Sequence, residues 1–265
     1  MSFDEWLMKI LFLCFISFVL QAQNSWYTEK GKVTIPFELS NNLIILDMKI
    51  NNTKFKMILD SGAEKNMLFS FPEEGGFAVS NLRKIKLLGM GIGDTLQAYL
   101  STNNKAQIKA IEHTNFEVLL VADEHINIVN KLGIPVNGIV GSSFFKDFFI
   151  FIDYEKSKIY VYPKVNKSLL RKLKKFQTIP LVLHNDIPYV SLKTRINQEL
   201  LSVKLLFDTG LSDGLWLFES HQISSNTNYF IDVLGKGLSG DIFGKKSRVD
   251  QLYLNQFELK DALVS

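Results

Sequence analysis

Hydrophobic and polar positions alternate in short runs along most of this chain. Phe55, Met57 and Leu59 alternate with Lys54 and Lys56, which is the two-residue period of a strand. Ile50-Asn51-Asn52 opens a turn before that run, and Leu43-Ile44-Ile45-Leu46 leads into it. Ile187-Pro188-Tyr189-Val190-Ser191-Leu192 and Ile196-Asn197-Gln198 echo this lead-in and turn later in the chain. Both runs end in the same triplet, Asp60-Ser61-Gly62 and Asp208-Thr209-Gly210, 148 positions apart. A second apolar cluster follows each, Met67-Leu68-Phe69 and Leu215-Trp216-Leu217-Phe218. Each half thus predicts strand, turn, strand, acid loop, strand.

The correspondence continues past the triplets. Gly89-Met90-Gly91-Ile92-Gly93-Asp94 and Gly235-Lys236-Gly237-Leu238-Ser239-Gly240-Asp241 lie at similar distances beyond them. Such glycines suit hairpin tips. A dinucleotide-binding loop is disfavoured, because neither copy has the full spacing or opens a helix. The first half closes with Asn137-Gly138-Ile139-Val140-Gly141, then Ser142-Ser143, where serine is expected to cap a short helix. Phe149–Tyr154 and Ile159–Tyr162 predict a hairpin around Glu155-Lys156-Ser157. The expected organisation is a first lobe over 23–163, a connector over 164–178 with a short helix at Ser168–Lys175, and a second lobe over 179–265. The second half shows the strand pair Arg248–Leu254 and Phe257–Val264 but no counterpart of Gly138–Gly141, whose interval from Asp60 would place it near position 289. The second lobe therefore reads as incomplete, and a longer gene product is one explanation.

Residues 1–22 read as an export signal. An apolar run of eleven, Ile10–Leu20, is short for a membrane span, and Lys9 and Gln21-Ala22-Gln23 flank it. Met8 is an alternative start, and an uncleaved anchor is the rival reading. Cleavage would remove one lysine and two acids, taking the net charge from +3 to +4, and would also remove Cys14, the single cysteine. No disulfide, thiol nucleophile or thiolate metal site would remain. This fits a bacterial periplasm, envelope or secreted location, with no stable span after processing. At 46% hydrophobic residues with 21 phenylalanines and 6 prolines, the chain suits β-rich packing. Lys164, Lys167, Arg171, Lys172, Lys174 and Lys175 read as a solvated connector rather than a nucleic-acid patch, because no stacking aromatics are interleaved. His113, His125, His184 and His221 lack ligand spacing.

The two triplets, Gly138-Ile139-Val140-Gly141 and the repeated glycine turn resemble the aspartic peptidase superfamily in its two-lobed pepsin-like and retropepsin-like forms. The likeness is to exported Bacteroidetes proteins, many of which carry a PDZ domain after the second lobe. It implies a mainly β, bilobal acid-protease-like barrel fold with its second lobe incomplete. It implies a catalytic pair at Asp60 and Asp208, supported by Ser61, Gly62, Thr209 and Gly210. Gly89, Gly91, Ile92 and Gly93 would form a flap over an extended polypeptide substrate. No cofactor and no metal is implied. Leu211 is bulkier than the residue usual after the second triplet. Two readings stay open: an exported aspartic endopeptidase, or an inactive peptide-binding envelope protein of the same fold that self-associates through its second lobe.

Overall fold

The computed structural model describes residues 25–71, 77–87, 96–121, 135–220, 223, 228–237 and 240–265. The expected signal at 1–22 and the flap residues Gly89, Gly91, Ile92 and Gly93 lie outside them. The described chain is mainly β, in three sheets. Among the described residues no helix is long and apolar enough to cross a membrane.

The strands up to Tyr162 form two sheets. They are β1 (Val33–Pro36), β2 (Glu38–Ser40), β3 (Leu43–Ile50), β4 (Thr53–Leu59), β5 (Met67–Leu68), β6 (Arg83–Leu87), β7 (Leu96–Ile108), β8 (Ile111–Leu120), β9 (Gly138–Val140), β10 (Phe149–Asp153) and β11 (Lys158–Tyr162). An eight-stranded sheet runs β2-β3-β4-β9-β5-β8-β7-β6, and β1, β11 and β10 form a smaller one. Between β9 and β10 lies α1 (Ser143–Lys146). Apolar side chains from both sheets and from α1 meet in one core, including Ile50, Leu59, Leu68, Val118, Val140 and Phe144. Trp26 joins it, with edge-on contacts to Phe116 and Phe144.

The residues after the connector make the third sheet. It contains β12 (Leu181–His184), β13 (Ile187–Ile196), β14 (Glu199–Leu206), β15 (Phe230–Gly237), β16 (Gly240–Leu254) and β17 (Phe257–Val264). The order is β12-β13-β16-β15, with β14 paired to β13 and β17 to β16. Its core cluster is small: Ile196, Leu215, Val249, Leu252 and Val264.

The repeat is visible in the backbone. Asn51 and Asn52 turn between β3 and β4 with φ of 46° and 69°; Asn197 and Gln198 turn between β13 and β14 with φ of 50° and 68°. Two successive left-handed residues make the hairpin turn whose twist suits flanking strands, and asparagine tolerates that conformation best after glycine. The preceding turns match as well, at Asn41-Asn42 and Asn185-Asp186.

Three local expectations are corrected. Ser142 stands at the N-cap of α1 with helical dihedrals and makes no side-chain cap bond; its backbone N–H donates to Ala63 O instead, at 2.8 Å. The connector helix, α2, spans Lys167–Leu173 rather than Ser168–Lys175, because Asn166 Oδ1 accepts from Leu169 N–H and fixes the start. Among the described residues Leu215–Phe218 forms no strand of a sheet. Leu217 N–H donates to Ser265 O at 2.9 Å, and Ser265 N–H donates to Leu215 O at 3.0 Å.

Candidate active site

Asp60 and Asp208 come together where the two halves meet. Each follows an apolar strand, β4 or β14, on a turn that glycine allows to be tight. A Cβ on Gly62 would stand 2.6 Å from Asp208 Cγ, and one on Gly210 would stand 2.3 Å from Asp60 Cγ. Each triplet's glycine is thus the surface against which the opposite carboxylate lies. No larger residue fits either place.

The hydroxyls at the middle positions join the two loops. Ser61 Oγ donates to Phe207 O at 2.7 Å and accepts from Thr209 N–H at 3.1 Å. Thr209 Oγ1 donates to Leu59 O at 2.8 Å and accepts from Ser61 N–H at 3.0 Å. These four bonds are reciprocal across the lobes, and each uses both capacities of its hydroxyl. Ser61 is buried, so losing a partner would strand a polar group away from water.

The carboxylates are held by amides of their own loops. Asp60 Oδ1 accepts from Gly62 N–H at 2.7 Å and Ala63 N–H at 3.1 Å. Asp208 Oδ1 accepts from Gly210 N–H at 2.7 Å. Among the described residues Leu211 supplies no counterpart of the Ala63 bond. Burial pushes Asp60 up to about 7, and the adjacent Asp208 charge and a hydrogen bond with that carboxyl add to the rise. The amides of Gly62 and Ala63 pull the other way. Two acids this close do not both ionise at low cost, so the pair retains a proton that neither would hold alone.

The loop of Asp60 rests on β9. That strand runs parallel to β4 and antiparallel to β5, filling the gap between them. Val140 O accepts from Asp60 N–H at 2.9 Å. Asn66 clamps the arrangement: its Oδ1 accepts from Gly141 N–H at 3.0 Å, and its Nδ2 donates to Glu117 O at 3.0 Å. A Cβ at Gly138 would meet Met67 O at 2.0 Å, so only glycine lets β9 in.

The loop of Asp208 is held differently. Asp213 Oδ2 accepts from Trp216 Nε1 at 2.9 Å and from Ser265 Oγ at 2.8 Å. Asn42 Nδ2 reaches across from the first lobe to Ser212 O at 2.9 Å. Asn66, Asp213 and Asn42 escaped the sequence reading. The one signal for the first two was a polar side chain five or six residues after each acid.

The six predicted dyad and support residues, Asp60, Ser61, Gly62, Asp208, Thr209 and Gly210, are brought into one cluster. The predicted flap belongs to the β6–β7 hairpin, whose stem pairs Leu87 with Leu96, but its glycines are outside the described residues. Among the described residues no group of three or more His, Cys, Asp or Glu side chains is placed to hold a metal ion.

No protein-family profile matches the chain, and no curated protein matches it. Among solved structures, a retropepsin-like aspartic protease from Rickettsia conorii is 21% identical. The match covers 52% of this chain and 96% of that one, with a TM-score of 0.36.

Proposed function

We propose that this protein is an aspartic endopeptidase, exported to a bacterial periplasm, envelope or exterior, that uses Asp60 and Asp208 to activate water. The observation that supports this most is the reciprocal seating of the two acids. Each lies against the other's glycine, and the Ser61 and Thr209 hydroxyls lock the loops together. The resemblance of both triplets and of Gly138–Gly141 to acid peptidases agrees with it.

The chemistry follows from one shared proton. The pair carries one negative charge, and the rise at Asp60 keeps the proton on it toward neutral pH. A water bound between the acids gives a proton to the ionised carboxylate as its oxygen attacks the peptide carbonyl. The protonated carboxyl donates to the carbonyl oxygen, which becomes a hydroxyl of the tetrahedral intermediate. Collapse breaks the C–N bond: the proton taken from water passes to the leaving amine, and one hydroxyl of the intermediate returns its proton to the other carboxylate as the carbonyl re-forms, which restores the shared proton. No covalent enzyme intermediate forms. Gly62 and Gly210 keep bulk away from the site of that water. In this reading the glycine turn between β6 and β7 acts as the flap over an extended polypeptide held by main-chain bonds.

The test is cleavage of an unfolded polypeptide across acid to neutral pH, with statine-type inhibition. Asp60→Asn and Asp208→Asn are each expected to abolish it. Undiminished cleavage by either variant rejects the assignment.

A second reading, a non-catalytic peptide-binding protein, draws on one observation. β14 pairs with β13 alone among the described residues, so the Asp208 loop lacks the support that β9 gives Asp60. A misplacement of about 1 Å costs on the order of a hundredfold. Tight binding of a peptide that stays intact would favour this reading.

A further inference from the structure

The turns that lead into the two acid hairpins both reach across the molecule, but to different places. Asn41-Asn42 joins β2 to β3, and Asn185-Asp186 joins β12 to β13. Asn42 and Asp186 share the left-handed conformation, with φ of 64° and 62°. Asn42 Nδ2 donates to Ser212 O at 2.9 Å, on the loop of Asp208. Asp186 Oδ2 accepts from Lys146 Nζ at 2.7 Å, on α1. Matched positions thus make one neutral and one ionic bond to the opposite lobe. Their end points have different consequences for the pair of acids. Lys146 lies on a helical turn already fixed by the burial of Phe144 and by the bond from Ser142 N–H to Ala63 O. Ser212 lies on the acid loop itself, four residues after Asp208.

Asn42 acts on that loop from a rigid base. It directly precedes Leu43-Ile44-Ile45-Leu46, four buried residues of β3. β3 pairs with β4, and two residues beyond the pair Ile45–Ile58 stand Leu43 and Asp60. The hairpin that ends in Asp60 therefore carries the amide that holds the Asp208 loop. The Ser61 and Thr209 hydroxyls tie that loop at Phe207 and Thr209. A loop tied at one end can still swing about it. The bond at Ser212 ties it again, on the far side of the Asp208 carboxylate. Asn42 and Ser212 are both exposed, so their bond competes with water and contributes little net stability. What it fixes is a position. A displacement of about 1 Å in a reacting group is worth on the order of a hundredfold in rate.

We infer that Asn42 is a positioning residue for the two acids: its side-chain amide holds the Asp208 loop at the distance from Asp60 at which the carboxylates share a proton and a water. The inference rests on the proposed use of these acids and extends it to a residue outside both triplets. Asparagine meets two demands at once here. The turn needs a left-handed residue, and Ser212 O needs a donor. Glycine satisfies only the first, and aspartate tolerates the conformation but offers only acceptors when ionised.

These two residues supply the test. Asn42→Gly keeps the turn and deletes the amide. Asn42→Asp keeps the shape and sets a carboxylate against a carbonyl oxygen. Asp186→Gly is the matched control, because it removes a cross-lobe bond from the equivalent position without touching an acid loop. Both Asn42 variants are expected to lower kcat about tenfold with KM within about twofold of wild type, and Asp186→Gly is expected to leave both within about twofold. A second readout needs no cleavage. After burial, the Asp208 charge is the next largest cause of the rise at Asp60, so drawing Asp208 away moves the upper titration step of the pair to lower pH. Carbon NMR of the two carboxyls is expected to show that move in both Asn42 variants and not in Asp186→Gly. Wild-type kcat together with a wild-type titration step in the Asn42 variants overturns the inference. So does a change in KM alone, or an equal loss in Asp186→Gly, which would place the effect in the alignment of the lobes rather than in the loop. A wild-type protein that cleaves nothing, with the titration step still displaced in the Asn42 variants, rejects the proposed activity and supports the positioning of the pair by Asn42.

Discussion

β4 and β14 end in the same kind of triplet, yet they live in different surroundings. β4 has a strand on each side and its last two residues are buried; among the described residues β14 has one neighbour, and its last residue is exposed. The two acids nonetheless meet in a nearly symmetric cluster, because the four Ser61 and Thr209 bonds lie across the lobes rather than within them. Local support and mutual support are therefore separable. Asp60 has both, and Asp208 relies more on its partner.

The largest expected effect tests whether the unequal lobes contribute equal halves of one site. Asp60→Asn and Asp208→Asn are each expected to lower kcat/KM by about 10³-fold or more, and the double variant by no more than either alone. Additive losses would show two independent groups rather than a pair.

Next comes pH. The fold holds a proton on Asp60 up to about 7 against an ordinary 3.8, so it binds that proton more tightly than the unfolded chain does. The stability this contributes is complete below about pH 4 and is lost as pH rises to about 7, a change of up to about 4 kcal/mol. Denaturant midpoints of wild type and Asp60→Asn, compared across this range, should diverge increasingly toward neutral pH in favour of the variant. Asp208→Asn should relieve only part of this cost, since burial, the largest cause of the rise, stays with Asp60. A difference that does not vary with pH would break this account. Activity should fall tenfold per pH unit above about 7, as the shared proton is lost.

A glycine in each lobe gives the sharpest contrast in packing. Gly138→Val drives a side chain into Met67 O and is expected to cost about 3 kcal/mol or more. At Gly214 nothing lies within 4 Å of a Cβ, and Gly214→Ala is expected to stay within about 0.5 kcal/mol. The smallest contrast compares the residues just before each acid. Leu59→Ala should cost about 3 kcal/mol, and Phe207→Ala less than about 1 kcal/mol. Urea midpoints measure both pairs, and equal losses at Leu59 and Phe207 would mean that the second lobe is as closely packed as the first.

The features legible in the sequence were those that the backbone itself enforces. Alternation along β4, the paired asparagine turns and the Gly138–Gly141 segment follow from side-chain period and positive φ, which leave a residue-type signature. The triplets were legible because they repeat. The supports around them were not. Asn66 and Asp213 act by reaching main-chain or distant groups whose proximity depends on how sheets close, and no local pattern encodes that. Ser142 misled for the related reason that its backbone, not its hydroxyl, has the structural task. Leu215–Leu217 looked like a strand by composition, but a strand needs a ladder, and among the described residues its backbone bonds go to Ser265.

The Ser61–Thr209 cross-bonding has a mechanical corollary. Two of its four bonds end on Leu59 O and Phe207 O, one residue before each acid, and the other two on the hydroxyls one residue after. Points so close to a common centre move least when two bodies pivot about it. A rotation of one lobe against the other about these bonds would change the spacing of their outer rims more than the gap between the two carboxylates, as the pin of a pair of tongs stays still while the jaws swing. A change in the width of the mouth and a change in the reacting geometry are then different events, and one need not disturb the other.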